Sequence, residues 1–81
     1  MTAEQASLRA EQARTGYQLP ESWKRLACER RYIEVPDGPP EQPAPTRDLL
    51  VWVVRFGDYL GWAELAVDDG TGRVVRMERS R

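Results

Sequence analysis

Histidine is absent from this sequence, and cysteine occurs once, at Cys28. Without histidine the chain lacks the commonest general base and the commonest ligand of transition metals. A single cysteine can form neither an internal disulfide nor a thiolate metal cluster. Ser/His/Asp and Cys/His catalysis and histidine-based zinc sites are therefore excluded within one chain.

Other catalytic arrangements also lack the residues they need. With no general base beside it, Cys28 is expected to be a structural thiol. Glu64 and Glu78 face each other across a predicted hairpin, but glycosidase chemistry needs two carboxylates in a cleft. A chain of 81 residues offers little room for a cleft. We therefore expect a protein that is not an enzyme and has no metal and no cofactor.

A basic face is missing as well. The net charge is −1, with acidic and basic residues interleaved, and Lys24 is the only lysine. A preference for arginine over lysine is typical of GC-rich genomes and suggests a bacterial source. Nucleic-acid and membrane-surface binders need a basic face, so neither partner is expected. The C-terminal arginines leave nucleic-acid binding as the least favoured alternative: Arg73, Arg76, Arg79 and Arg81.

Long apolar segments are also absent, and Met1 to Gln5 show no basic stretch followed by an apolar run. This pattern predicts neither a secretion signal nor a membrane span, and we expect a cytoplasmic protein. The length predicts a single small domain, residues 1–81, with a thin core. Within it we distinguish a helical segment (1–31), a proline-rich connector (36–47) and a β-meander (48–79).

Two helices are predicted in the first segment. Residues 2–15 are good helix formers, Thr2 and Gln5 fit a capping box, and Gly16 stands where a C-cap glycine is expected. Residues 20–30 begin with a proline suited to the first turn and repeat apolar residues at helical spacing. The second helix is the best candidate to cover the sheet. A short strand follows at 31–35.

The helix at residues 2–15 has an unusual apolar stripe of small residues. A narrow stripe of alanines releases little free energy on burial. The helix is therefore weakly docked, frayed, or packed closely against another helix. The stripe consists of Ala3, Ala6, Ala10 and Ala13, followed by Tyr17.

Residues 36–46 contain five of the six prolines and predict an extended, semi-rigid connector. Its Pro40-Glu-Gln-Pro43 sequence formally matches PxxP, a spacing common in proline-rich linkers. Residues 48–56 then form the strongest predicted strand. Its unbroken apolar run, Leu49 to Val54, indicates a strand covered on both faces. One cover would be the helices, and the other a partner, a second copy or the N-terminal segment.

Two more strands complete the predicted meander. Residues 57–61 form a hairpin loop, and residues 62–68 and 73–79 alternate in polarity. In the last strand, alternation places Val75 and Met77 on one face. Asp68 to Gly72 reads as a tight structural turn rather than a metal site. The fold class predicted is α+β, with one or two N-terminal helices packed on a three- to four-stranded antiparallel β-meander.

The meander resembles PepSY-type domains and the related propeptide-inhibitor modules. The matching residues are Val51-Trp-Val-Val-Arg-Phe, Trp62-Ala-Glu-Leu-Ala-Val-Asp68 and Thr71-Gly72-Arg-Val-Val75. They lie within residues 48–77. The resemblance implies a helix packed on an antiparallel sheet, with a binding or inhibitory role and no catalysis.

Apolar and aromatic residues cluster around the first hairpin, and two interpretations stay open. They can be core, since tryptophan buries a large area. They can also form an interface, because Trp and Tyr are enriched at hot spots and a loop does not require apolar residues. The candidate interface residues are Trp52, Val54, Phe56, Tyr59, Leu60 and Trp62.

These observations favour a small, non-catalytic protein-binding module that uses its sheet and hairpin loop, as an accessory subunit, regulator or inhibitor. The alternative is a homodimeric structural protein that pairs sheets or edges. The partner is accordingly expected to be another protein or a second copy of the chain.

Overall fold

A computed structural model of the chain describes residues 1–37 and 45–80. Its elements are α1 (Ala3–Ala13), β1 (Lys24–Pro36), β2 (Thr46–Gly57), β3 (Trp62–Asp68) and β4 (Val74–Arg79). The strands form one antiparallel sheet in the order β1-β2-β3-β4. The predicted α+β class is confirmed, with one helix and four strands in the described part of the chain.

Helix α1 begins with the capping box that the sequence predicts. The Thr2 hydroxyl accepts a hydrogen bond from the Gln5 backbone N–H at 3.2 Å, and the Gln5 side chain accepts one from the Thr2 N–H at 2.8 Å. Ala6 and Ala10 are fully buried. The stripe is packed closely, but against the sheet and not against another helix as predicted, because α1 is the one helix of the described residues.

The end of α1 differs from the prediction. The C-cap residue is Arg14, and the left-handed residue that turns the chain is Gln18, with φ of 58°, rather than Gly16. The Arg14 guanidinium donates hydrogen bonds to the carbonyl oxygens of Pro20 and Trp23 at 2.6 and 2.7 Å. These bonds hold the connection from α1 to β1 in one conformation.

The predicted second helix at residues 20–30 is wrong. Strand β1 starts at Lys24 and pairs with β2 along its whole length, from Lys24 opposite Gly57 to Pro36 opposite Thr46. Pairing with a strongly β-forming neighbour outweighs a weak helical pattern. The strand predicted at 31–35 is the second half of β1. The cover of the sheet is therefore α1, not residues 20–30.

The predicted proline-rich connector has strand residues at both ends. Pro36 is the last residue of β1 and Thr46 the first of β2, and the Asp37 N–H donates to the Pro45 carbonyl at 3.0 Å. Residues 38–44, including the Pro40–Pro43 motif, lie outside the described residues.

The main core lies between α1 and one face of the sheet, here called the helix face. Its buried members come from the helix, the following loop, β2 and β3: Ala10, Leu19, Val54, Phe56, Ala63, Leu65 and Val67. Each of these is at most 5% exposed. The sequence predicts that Ala63, Leu65 and Val67 of β3 share one face, and this is confirmed.

A second apolar cluster lies on the opposite face, here called the open face. It consists of Ile33, Val51, Val53 and Ala66, with Val35 and Leu49 partly buried beside them. Long charged side chains line the same shallow depression: Arg31, Glu64, Arg76 and Glu78. The stems of such side chains shield apolar surface while their charges stay in water. Strand β2 buries apolar side chains on both faces, as predicted, but the residues beside them on the open face belong to the sheet itself and not to the N-terminal segment. A partner or a second copy on this face stays a prediction.

Strand β4 departs from simple alternation. A register shift places Ala66 opposite Arg76 but Val67 opposite Val74. Val74 and Met77 therefore pack against the main core, while Val75 is 43% exposed. The prediction that Val75 and Met77 share a face is wrong, because one extra residue in a bulged strand reverses the alternation.

The close approach of α1 to the sheet predicts that Ala10→Leu destabilises the fold by about 1–3 kcal/mol through overpacking. The matched control is Ala3→Leu, the same change at an exposed position of the same helix, which should shift stability by less than about 0.5 kcal/mol. Urea denaturation followed by tryptophan fluorescence measures both. Equal effects of the two variants would contradict close docking of α1.

Candidate functional site

The loop between β2 and β3, residues 58–61, is the centre of the candidate site. The Asp58 N–H donates to the Gly61 carbonyl at 3.0 Å. The Asp58 carboxylate accepts from the Leu60 and Gly61 N–H groups at 2.7 and 3.2 Å. Aspartate commonly organises turns by bonding to backbone two or three residues ahead. The loop is thus closed by its own hydrogen bonds.

The base of the loop is tightly packed. A Cβ atom at Gly57 would stand 2.5 Å from the Gly61 carbonyl oxygen, so this position has no room for a side chain. The Trp62 N–H donates to the Ser80 hydroxyl, and the Ser80 N–H donates to the Trp62 carbonyl, both at 2.8 Å. The end of β4 therefore supports the start of β3 and the loop before it.

The two residues at the loop tip are apolar and exposed. Tyr59 is 93% exposed and Leu60 is 77% exposed, the two highest values among the large hydrophobic residues in the described part of the chain. Trp62, at the base, is half-buried, and the Arg55 guanidinium lies 4.6 Å from the centre of its ring. We call Tyr59, Leu60 and Trp62 the hairpin surface.

The other candidate interface residues occupy a different side of the molecule. Val54 and Phe56 are fully buried beneath α1, and Trp52 is half-buried on the same face. Trp62 pairs with Gly57 and so lies on the open face. Tyr59, Leu60 and Trp62 therefore belong to the hairpin loop and its base, whereas Trp52, Val54 and Phe56 lie in or beside the core. Strand alternation separates the two tryptophans, because Trp52 and Gly57 are an odd number of residues apart.

The β3–β4 turn has the hydrogen bonds expected of a structural turn. The Asp68 carboxylate accepts from the Gly70 and Thr71 N–H groups at 2.7 and 3.3 Å. Gly72 has φ of 74°, a conformation that favours glycine. No group of three or more acidic or cysteine side chains suited to a metal ion occurs among residues 1–37 and 45–80.

Asp69, beside this turn, makes an interaction that sequence reasoning missed. Its carboxylate accepts a hydrogen bond from the Trp52 indole N–H at 2.7 Å and lies 3.6 Å from the Met1 amino group. The indole hydrogen bond, assisted by the amino group, lowers the pKa of Asp69 despite partial burial. Trp52 is thus hydrogen-bonded to the β3–β4 turn. Nothing in the spacing of Trp52 and Asp69 signals this pair; it depends on the β2–β3 register.

Cys28 and the C-terminal arginines do not form a cluster of interacting side chains in the described part of the chain. Cys28 is half-buried in β1, with its sulfur 3.8 Å from the Ala3 carbonyl oxygen. Arg76 pairs with Glu78 at 3.0 Å on the open face, and Arg81 lies outside the described residues. In the part of the chain that is described, α1 is too short and too polar to cross a bilayer, and no other helix qualifies.

Comparison with known proteins finds no match to this chain among family models, curated proteins or solved structures. The resemblance to PepSY-type domains stays a prediction.

The Trp52–Asp69 hydrogen bond predicts that Trp52→Phe raises the pKa of the Asp69 carboxyl toward its ordinary value. Because the folded-state pKa is lowered, the stabilisation is complete well above the ordinary carboxyl pKa of about 4 and is lost as pH falls through the folded-state pKa. NMR titration of the Asp69 carboxyl carbon measures the change. The control, Trp62→Phe, should leave this pKa unchanged, and an unchanged value in Trp52→Phe would contradict the assignment.

The Asp58 hydrogen bonds predict that Asp58→Ala loosens the loop. Two backbone N–H groups lose their acceptor, at a cost of about 0.5–1.5 kcal/mol per bond, and amide hydrogen exchange at Leu60 and Gly61 should accelerate. Asp58→Asn retains a carbonyl oxygen acceptor and should keep most of the protection. Unchanged exchange in Asp58→Ala would show that the carboxylate does not order the loop.

Proposed function

We propose that this protein is a small non-catalytic protein-binding module, an accessory subunit, regulator or inhibitor, that recognises its partner through the hairpin surface. The observation that carries the proposal is the exposure of Tyr59 and Leu60 at the tip of an ordered loop. The partner fits this surface if it offers an apolar pocket for the two side chains.

The apolar character of Tyr59 and Leu60 is not required for the stability of the fold. Neither side chain contributes to the two buried clusters, and a loop tip accepts polar residues equally well. Tyrosine is enriched at binding hot spots, whereas scattered surface leucines are ordinary. Exposed aromatic and aliphatic side chains that are adjacent in the sequence, two residues from a half-buried tryptophan, are the kind of apolar surface expected of an interaction site.

The order of the loop supports the proposal further. A loop that is already closed by the Asp58 hydrogen bonds and by the packing of Gly57 loses little conformational entropy on binding. The Arg55 guanidinium over the Trp62 ring adds a charged rim. Apolar anchors with a polar rim are the usual anatomy of an interface.

The PepSY-like resemblance also favours a binding or inhibitory role. For nucleic-acid binding, by contrast, the arginines of β4 are divided between faces. Arg76 lies on the open face beside Glu78, and Arg79, opposite Ala63, lies on the helix face. We therefore keep the protein partner as the first candidate.

The test is site-specific photocrosslinking in the source organism. A photoreactive phenylalanine derivative replacing Tyr59 should yield a discrete crosslinked band with a partner protein. The additional substitution Leu60→Ser should weaken that band about tenfold, because burying a leucine side chain in the partner's pocket is worth about 1.5–3 kcal/mol. Mass spectrometry of the band identifies the partner.

The matched control carries the same photoreactive residue at Leu8, which is exposed on α1, away from the hairpin. A band obtained equally from Leu8 and Tyr59 would contradict specific recognition through the hairpin surface. So would a band at Tyr59 that is indifferent to Leu60→Ser in a variant whose circular dichroism matches the native chain.

A further inference from the structure

The two edges of the sheet are protected to very different degrees. Strand β4 is six residues long and contains a bulge. These are the features by which natural edge strands avoid pairing with other chains. Strand β1 is thirteen residues long, and its one register shift lies between Arg25 and Ala27, near its start. From Cys28 to Pro36, β1 has no such interruption.

The segment 29–36 is also accessible on its outer side. Among the described residues, no strand lies beyond β1. Helix α1 lies next to the start of the strand, where Ala3, Glu4 and Ser7 form a groove with residues 25–28. Tyr32 is 67% exposed, so the cover provided by α1 does not extend over it. No other element of residues 1–37 and 45–80 therefore covers the outer edge of residues 29–36.

Two charged residues of this segment lack ion-pair partners among the described residues. Glu34 stands directly opposite Asp48 of β2, and like charges opposite each other destabilise a sheet. No cationic group lies within 4 Å of either carboxylate among the described residues. Arg30, four residues before Glu34 and on the same face, forms no ion pair within 4 Å among the described residues, and its guanidinium lies 5.7 Å from the centre of the Trp52 ring.

We propose that the edge of β1 pairs with β1 of a second copy of this chain, antiparallel and centred on Tyr32, so that Arg30 of each copy faces Glu34 of the other. A two-fold axis perpendicular to the sheet places residues of the same face opposite each other. Seven residues of each copy then pair, 29–35, and each Arg30 guanidinium supplies the cation that Glu34 and Asp48 lack.

The charged residues of β1 favour the register centred on Tyr32 over the neighbouring pairing registers. Centring the pairing on Arg30, Arg31 or Glu34 puts that residue opposite its own copy, which brings like charges together. Centring it on Ile33 leaves Glu34 opposite Tyr32 and forms no ion pair. Only the register centred on Tyr32 combines two opposite-charge pairs with no like-charge pair across the new interface. The resulting sheet has eight strands.

This inference is independent of the proposed function. The hairpin surface lies beside the start of β1, because Gly57 pairs with Lys24, whereas Tyr32 pairs with Leu50. Substitutions in one surface leave the other intact, so the two proposals can fail separately.

The first arm of the test is a charge exchange measured by sedimentation equilibrium at up to about 1 mM. Arg30→Glu and Glu34→Arg alone should each raise the dimer dissociation constant about tenfold or more, since each converts two attractive pairs into repulsive ones. The double variant R30E/E34R should restore dimerisation. Arg25→Glu, the same charge change in β1 outside the pairing segment, should have little effect.

The second arm locates the register by symmetric disulfide formation in a Cys28→Ser background. Directly opposed residues of antiparallel strands have Cα atoms about 4.5–5.5 Å apart, within the range a disulfide spans. Tyr32→Cys should form a covalent dimer under mild oxidation, and Arg31→Cys and Ile33→Cys should form far less.

Three results would overturn the inference. One is a native chain that is monomeric throughout the concentration range. Another is a dimer whose affinity is not restored by the double charge exchange. The third is preferential crosslinking at position 31 or 33, which would refute the Tyr32-centred register. Circular dichroism of every variant distinguishes loss of pairing from loss of fold.

Discussion

Strand β2 buries apolar side chains on both of its faces, and the arrangement of the other elements depends on this. Val54 is fully buried in the main core beneath α1, and the preceding residue, Val53, is 5% exposed in the cluster on the open face. A strand with this pattern is stable only where hydrogen-bonded neighbours flank it and both faces are covered. β1 and β3 supply the neighbours. The covers have unlike origins: a helix of small residues on one face, and the stems of charged side chains on the other.

The helix can act as a cover because its buried residues are small and its end is held. Ala6 and Ala10 let the backbone approach the sheet closely, which compensates for the small area each buries. Arg14 then joins three parts of the fold. Its guanidinium lies 4.7 Å from the centre of the Phe56 ring and donates to two carbonyl oxygens of the loop that leads into β1. The same side chain thus connects the helix, the core and the start of the edge strand.

Sequence reasoning succeeded where a local signal was unambiguous. The capping box at Thr2 and Gln5, the apolar run of β2 and the strand at 62–68 are all observed. It failed at residues 20–30, because an edge strand needs little apolar alternation and takes its stability from the neighbour it pairs with. Leu26, which contributed to the apparent helical face, is exposed beside the register shift. Such a shift has no sequence signal of its own, and the same is true of the bulge that turns Val75 outward.

The candidate site was predictable only where a local sequence signal specifies the structure. The exposure of Tyr59 and Leu60 follows from their place in a hairpin loop. The turn-forming residues on either side predict that loop. To predict that Val54 and Phe56 are buried, one must know which face of β2 meets the helix. A continuous apolar run does not distinguish the two faces of a strand. The pairing of Trp52 with Asp69 required the register as well.

The positions of the two proposed surfaces have a consequence for how the molecule would engage partners. Leu50, opposite Tyr32, is seven residues from Gly57 at the base of the hairpin loop, or about 23 Å along the strand. A dimer centred on Tyr32 places its two-fold axis there and runs the strands in opposite directions. The two hairpin surfaces would then lie at opposite ends of one continuous sheet, separated by about 46 Å along the strand direction. That geometry favours two partners, or two sites on an extended partner, over a single compact site. Linked sites bind such a partner more tightly than either surface does alone.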